Sequence, residues 1–358
     1  MKNRILILLV MLLTLFIWSC DEEPPVGPEV SPQEEVTLEK VSIGTVTPIL
    51  SLKHGNSPEG ITFDKQGNMF ISNTRGVNRS INEILKVNLD GSYSKYARLP
   101  GSGHAVGLVT DRKGNVYVAF GTNDRKTNGV YRIGHDGIPL RLKGSEKMLK
   151  PNALTFDWFG NLYCTDSDGY AVWKYKNKIF IKWLEDPLLV GGMVPGGTPF
   201  PLPGANGIAF FPPNKLYVAN TAQNSISRII IGINGKVASI ELVKQDFLLM
   251  NVDGLAVDIN ENIYGVLPPS TLSGIGAPPL PPLVKLNPNT KVVTPIALPA
   301  DANNFNTPTS LAFGTRGISN RLSVFIANAA LQYGQSMDPW ANPGVAKVFI
   351  GSFGLPAR

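Results

Sequence analysis

Four oxygen-bearing side chains, Glu59, Asn152, Asn206 and Asp253, recur at one position of a repeated pattern. Each opens or immediately precedes a short apolar run: Gly60-Ile61-Thr62-Phe63, Ala153-Leu154-Thr155-Phe156, Gly207-Ile208-Ala209-Phe210 and Gly254-Leu255-Ala256-Val257. Two carboxylates and two amide oxygens directed at a common point form a hard-ligand set. Ca²⁺ is its natural partner, with Mg²⁺ and Mn²⁺ as alternatives. No histidine or cysteine shares the position, which disfavours zinc. The competing expectation is a polar plug of hydrogen bonds and water. A buried carboxylate is costly without compensation, and a bound cation would supply it. Asp253 is the expected base that takes a proton from water, with Glu59 mainly a ligand.

His104, in Gly101-Ser102-Gly103-His104, precedes the same position of the second repeat and is expected as a base or substrate contact. A lone loop histidine is more commonly structural, and His54 and His135 read as surface loop residues. Fourteen residues after the ring position stand Asn73, Phe120, Asp166, Asn220 and Leu267, with Asn328 in the longer sixth unit. Asn73, Asp166 and Asn220 are expected to orient ligands or bind substrate; the alternative is that they cap turns.

A repeat must position these residues. The ring position falls at Glu59, Val106, Asn152, Asn206, Asp253 and Thr309, at steps of 47, 46, 54, 47 and 56 residues. After each apolar run comes a tight turn, such as Gly67-Asn68, Gly114-Asn115 or Gly160-Asn161, and a second strand such as Val116-Tyr117-Val118. The Gly-Asn pairs are expected to supply the positive φ of a two-strand connection. Third strands follow in all six units and fourth strands in five. Four strands per unit and six units describe an all-β, six-bladed β-propeller. The sixth unit lacks its fourth strand, and Val46–Leu52, ahead of the first unit, is expected to complete that blade and close the ring.

Composition agrees. Hydrophobic residues make up 43% and charged residues 17%, which excludes a disordered chain. Gly 36 and Pro 29 favour a turn-rich β protein over a helical bundle. Two cysteines exclude a disulfide scaffold. No Gly-x-Ser-x-Gly elbow or phosphate loop is present, so any case for catalysis rests on the metal.

Residues 1–19 read as a secretory signal, with Lys2 and Arg4 ahead of an apolar run too short to span a bilayer. Ile17-Trp18-Ser19-Cys20 looks like a bacterial lipoprotein cleavage box, with Cys20 as the lipid attachment point. Residues 20–40 form an acidic, proline-rich tether carrying Asp21, Glu22, Glu23, Glu29, Glu34, Glu35 and Glu39. The chain's net charge of +6, less +2 for the signal and plus 7 for the acidic tether, leaves about +11 on residues 40–358, essentially the propeller (residues 41–358), which is consistent with an anionic envelope or anionic ligands. Scattered bases on an exported chain argue against nucleic acid. The expected location is the bacterial cell envelope, with the membrane reached through the lipid on Cys20.

Ser57-Pro58-Glu59-Gly60, Lys150-Pro151-Asn152, Ala205-Asn206-Gly207 and Val252-Asp253-Gly254 resemble the metal-binding positions of the senescence-marker-protein/gluconolactonase family, with paraoxonases more distantly similar. The resemblance spans roughly residues 45–350 and implies Glu59, Asn152, Asn206 and Asp253 as ligands of one divalent cation. It also implies a lactone or related ester as substrate. Where many members carry a sugar-contacting arginine, Lys150 stands instead, and it becomes the substrate-binding residue at that position. Ile61-Thr62-Phe63 likewise replaces the family's proline and tryptophan. A second resemblance, to NHL-repeat propellers, implies a non-catalytic module binding a glycan, peptide or protein partner. Long connections at Leu188–Gly204, Pro268–Pro282 and Ala329–Pro343, with Met193, Phe200, Met337 and Trp340, are expected to form an apolar rim over the metal.

Overall fold

The structure, a computed structural model, describes residues 41–193, 201–268, 281–296, 298, 305, 307–330 and 342–355. The expected signal, Cys20 and the tether lie outside the described residues, as do Phe200, Met337 and Trp340 of the expected rim.

Strand β1 (Val46–Ser51) precedes five complete blades. Blade one is β2 (Asn56–Phe63), β3 (Met69–Arg75), β4 (Ile81–Val87) and β5 (Tyr93–Arg98). Blade two is β6 (His104–Thr110), β7 (Val116–Gly121), β8 (Gly129–Ile133) and β9 (Pro139–Arg141). Blade three is β10 (Pro151–Phe156), β11 (Leu162–Asp166), β12 (Ala171–Lys176) and β13 (Ile179–Glu185). Blade four is β14 (Ala205–Phe211), β15 (Lys215–Asn220), β16 (Ser225–Ile231) and β17 (Val237–Gln245). Blade five is β18 (Leu255–Val257), β19 (Ile263–Val266), β20 (Leu283–Asn287) and β21 (Val292–Pro295). Blade six holds β22 (Pro308–Phe313), β23 (Ser323–Asn328) and β24 (Gly344–Phe349), and β1 pairs antiparallel with β24 as its fourth strand. The six four-stranded sheets and the closing strand are those expected from the repeat. Closure removes the exposed edge that the last blade would otherwise present.

Apolar residues alternate along the strands, and each inter-blade layer is a separate core, as in the cluster of Phe70, Ile84, Leu108, Val118, Phe120 and Ile133 between blades one and two. The strand directions define two faces. Turns joining first to second and third to fourth strands emerge on one, the hairpin face. Connections between second and third strands and between blades emerge on the other, the cavity face.

Four of the six first-to-second turns, those of blades one, two, three and five, share one construction. Asp157 Oδ1 accepts from the Phe159 and Asn161 amides, and its Oδ2 accepts from Asn161 Nδ2 and the Tyr163 hydroxyl. Asp64, Asp111 and Asp258 repeat the backbone and asparagine bonds. Positive φ falls on Gly67, Gly114, Gly160 and, in the Asp258 turn, Glu261, and not on the asparagine that follows; that asparagine instead ties the turn to its aspartate, which refines the expected role of the Gly-Asn pair.

The inner strands carry a second repeated device. Register slips between Pro58 and Ile61, Ala105 and Leu108, Pro151 and Leu154, and Ala205 and Ile208, leaving two residues bulged from the ladder each time. The first bulged residue is the ring position and the second is small. A Cβ on Gly60 would meet Val106 O at 2.3 Å, one on Gly107 would meet Asn152 O at 2.5 Å, and one on Gly207 would meet Asp253 O at 2.1 Å. The bulges of neighbouring blades thus touch backbone to backbone around the axis.

Gly207→Ala is therefore expected to cost about 3 kcal/mol or more, whereas Gly192→Ala, where a Cβ meets nothing within 4 Å, should change little. Denaturant melts of the two variants check this. Equal losses would refute the close-packed ring.

Candidate functional site

The bulge turns the first residue of each pair toward the axis. Glu59, Asn152, Asn206 and Asp253 all line one cavity of about 780 Å³, together with His104, Lys150 and Val106. The structure therefore brings the four expected ligands to one place, with both the expected histidine and the expected lysine beside them. Thr309, the sixth ring residue, turns its hydroxyl to Glu59 O at 3.1 Å and joins the last blade to the first.

The two asparagines are held by hydroxyls. Asn206 Nδ2 donates to Thr221 Oγ1 at 2.9 Å, and that hydroxyl donates to Val252 O. Asn152 Nδ2 donates to Ser167 Oγ at 2.9 Å, which in turn donates to Ala205 O. With the amide nitrogens fixed, the amide oxygens are the free ends. Asn206 Oδ1 is buried and has no hydrogen-bond partner among the described residues. An orphaned buried acceptor of this kind costs roughly 1–3 kcal/mol unless something outside the chain satisfies it.

Glu59 Oε2 lies 2.7 Å from His104 Nε2, which fixes the imidazole against the ring. Asp253 retains slight exposure to the cavity but is otherwise enclosed by protein atoms. Burial pushes its carboxyl well above its ordinary value of 3.8, and the Glu59 carboxylate pushes it further. The Asn206 amide and the Lys150 ammonium pull the other way without overcoming this. Among the described residues no basic group lies within ion-pair distance of Asp253. The ring thus holds two carboxylates, two amide oxygens and a shortage of positive charge. A hard divalent cation fits that donor set. Among the described residues no three His, Cys, Asp or Glu side chains converge, so the set reaches four only through its asparagines.

The second expected ring does not reach the cavity. Asp166 accepts from the Leu149, Lys150 and Gly169 amides and from Trp173 Nε1. Asn220 Nδ2 donates to Leu188 O and Val190 O, and Asn73 bonds Ser57 N and Asn56 Oδ1. All three are buried and spend their polar atoms on the loops entering the inner strands, which is the turn-capping alternative. The residues that orient the site lie one position later: Ser167 and Thr221 stand fifteen residues after Asn152 and Asn206, on the opposite face of the strand. Hydroxyls at a fixed offset were a signal available in the sequence. Arg79 and Asp168, also in the cavity wall, carried none, because irregular loops bring them there. His135 bonds Lys113 O on the surface, and His54 is exposed. Cys164 is fully buried with its thiol pushed up by burial, so it is no nucleophile. Of the expected rim, Met193 is exposed and Pro203 lines the cavity.

No protein-family profile matches the chain. No curated protein matches it in sequence. Solved structures do. A luciferin-regenerating enzyme shares 14% identity over 87% of this chain and 97% of its own, with a TM-score of 0.61. A gluconolactonase from Xanthomonas campestris shares 14% over 85% and 89%, with a TM-score of 0.57. Regucalcin from Agrobacterium tumefaciens, a calcium-binding protein, shares 15% over 87% and 95%, with a TM-score of 0.56. At these identities the likeness is one of fold, and it is the fold that the gluconolactonase resemblance implied.

The raised Asp253 carboxyl has a consequence for stability. The folded state binds its proton more tightly than the unfolded state, so stability falls as pH rises from 3.8 through the raised value. Asp253→Asn is expected to raise the melting temperature of chelator-treated protein by about 2–4 °C at pH 8 and to leave it unchanged near pH 3. Calorimetry across that range checks it; a constant offset at every pH would count against a strained carboxylate.

Proposed function

We propose that the chain is a divalent-cation-dependent hydrolase of a lactone or related ester. The observation that carries this reading is the buried Asn206 Oδ1 beside the Asp253 carboxyl, the first without a hydrogen-bond partner and the second without a basic group in ion-pair distance among the described residues. Glu59, Asn152, Asn206 and Asp253 are the residues that would hold the cation. Bound there, Ca²⁺, Mg²⁺ or Mn²⁺ would polarise an acyl carbonyl and stabilise its oxyanion.

The chain's own groups divide the remaining work. Asp253 is the group that takes a proton from water. Glu59 fixes His104 through a 2.7 Å contact, so the imidazole is held at the cavity wall as a substrate contact or second proton acceptor. Lys150, at the rim, offers an ammonium to a polar substrate group. Ser167 and Thr221 keep both amides turned oxygen-first toward the axis. The gluconolactonase and the calcium-binding regucalcin among the structural neighbours support the same reading at the level of fold. We also infer that the chain is carried in the bacterial envelope by a lipid on Cys20.

Calcium is expected to raise the melting temperature of chelator-treated protein and to restore turnover across a panel of lactones and aryl esters. Asp253→Asn should lower kcat at least about 100-fold. Thr221→Val should weaken the apparent cation affinity about tenfold and leave kcat at saturating cation near the wild-type value. The cation should also bind more weakly as pH falls, because protons compete for Asp253. Stabilisation by none of the three cations, with no turnover, would instead leave a binding propeller for a glycan, peptide or protein.

A further inference from the structure

The hairpin face, opposite the cavity, exposes one large apolar side chain from every blade. Leu89, Ile138, Phe159, Ile233, Ile259 and Ile318 stand at hairpin-face connections of blades one to six in turn, each at least 48% exposed, and Phe159 reaches 84%. Trp158 stands beside Phe159, and a groove of about 570 Å³ runs between Phe159 and Ile233. Turn tips are ordinarily polar. Here the aspartates and asparagines of the turns point inward to bond the backbone, and the apolar residues point out.

Charge on this face is one-sided. Lys65, Arg112, Lys113, Lys178, Lys236 and Lys291 are exposed around the apolar tips. Among the described residues its exposed acids are Asp90 and Asp136, each accepting hydrogen bonds within its own turn. Aromatic and aliphatic tips ringed by lysine and arginine match the two layers of a bilayer surface, acyl chains below and anionic headgroups above.

The path of the chain adds an independent argument. β1 runs from the hairpin face toward the cavity face, and Gly44 N donates to Phe349 O beside its entry point. Residues 1–40, which carry the expected lipid site at Cys20, therefore join the body on this same face. Ile43 is 60% exposed there.

We propose that the hairpin face is a lipid-docking surface that seats the propeller on an anionic bilayer, with the Glu59–Asp253 cavity opening away from it. The inference is independent of whether the cavity is catalytic. It concerns the orientation of the propeller, which attachment through Cys20 alone would not set.

The test uses full-length protein carrying Cys20→Ser, so that a single introduced thiol accompanies the fully buried Cys164. Spin labels are placed in turn at Phe159→Cys, Ile233→Cys and, on the cavity face, Val190→Cys. On vesicles containing phosphatidylglycerol, the labels at 159 and 233 are expected to become accessible to oxygen and shielded from a water-soluble nickel complex. The label at 190 should stay in water. Arg112→Glu with Lys113→Glu should weaken binding to these vesicles at least about tenfold, and pure phosphatidylcholine should bind less. Bound protein whose labels at 159 and 233 remain in water would overturn the proposal, as would immersion of the label at 190. Binding indifferent to both phosphatidylglycerol and the charge reversals would also overturn it, and would point to a protein partner for this face. Thermal melts of each variant confirm that the blades stay folded.

Discussion

The contact on which the rest of the molecule depends is backbone against backbone at the axis. The inner strands meet there, four of them through bulged residue pairs, and the residue after each ring position is small: Gly60, Gly107, Ala153, Gly207, Gly254 and Ser310. The bulge withdraws two residues from the ladder and aims the first of them at the axis. Spacing between blades and convergence of side chains are thus one geometric fact. Widening the ring to admit a larger second residue would draw Glu59, Asn152, Asn206 and Asp253 apart.

Hydroxyls make this arrangement rigid. Ser72 Oγ receives the Gly60 amide and donates to Val106 O of the next blade, and Thr165 Oγ1 links the Ala153 amide to Asn206 O in the same manner. The bulges leave amides and carbonyls that the ladder no longer serves, and an orphaned buried backbone group is costly. Each second-strand hydroxyl settles one such group in its own blade and one in its neighbour. Ser167 and Thr221 extend the relay to side-chain amides, so the polarity of the cavity floor follows from the same network. At the axis, among the described residues, the network leaves one amide oxygen, Asn206 Oδ1, without a partner.

Much of this was legible in the sequence because periodicity reports it directly. Apolar runs repeated six times pointed to blade and strand number, with Gly-Asn turns in three of the units, and the single spare segment at Val46 pointed to closure. The ring position was legible for the same reason, and four polar residues at it stood out against Val106 and Thr309. The function of the fourteen-residue offset was harder to read. Asn73, Asp166 and Asn220 share the polarity of site residues, but a strand reverses its side chains at every step, and a slip of one residue separates loop anchors from site-facing hydroxyls. Only strand register distinguishes Asp166 from Ser167. Arg79 was not legible at all, because Asn78 and Arg79 adopt left-handed backbone in a short turn that no repeat shares.

The closing strand ties together the timing of assembly. β1 finds its partner only in β24, nearly three hundred residues downstream, so blade six cannot form until almost the whole body is available. Contacts between such distant segments are slow to form. Until then the ring is an open arc with two raw sheet edges, and blades one to five must survive without the circumferential restraint that holds the axis shut. The seam is therefore both the last part to knit and the place where a shortened chain would stay permanently ajar, with its polar centre never assembled.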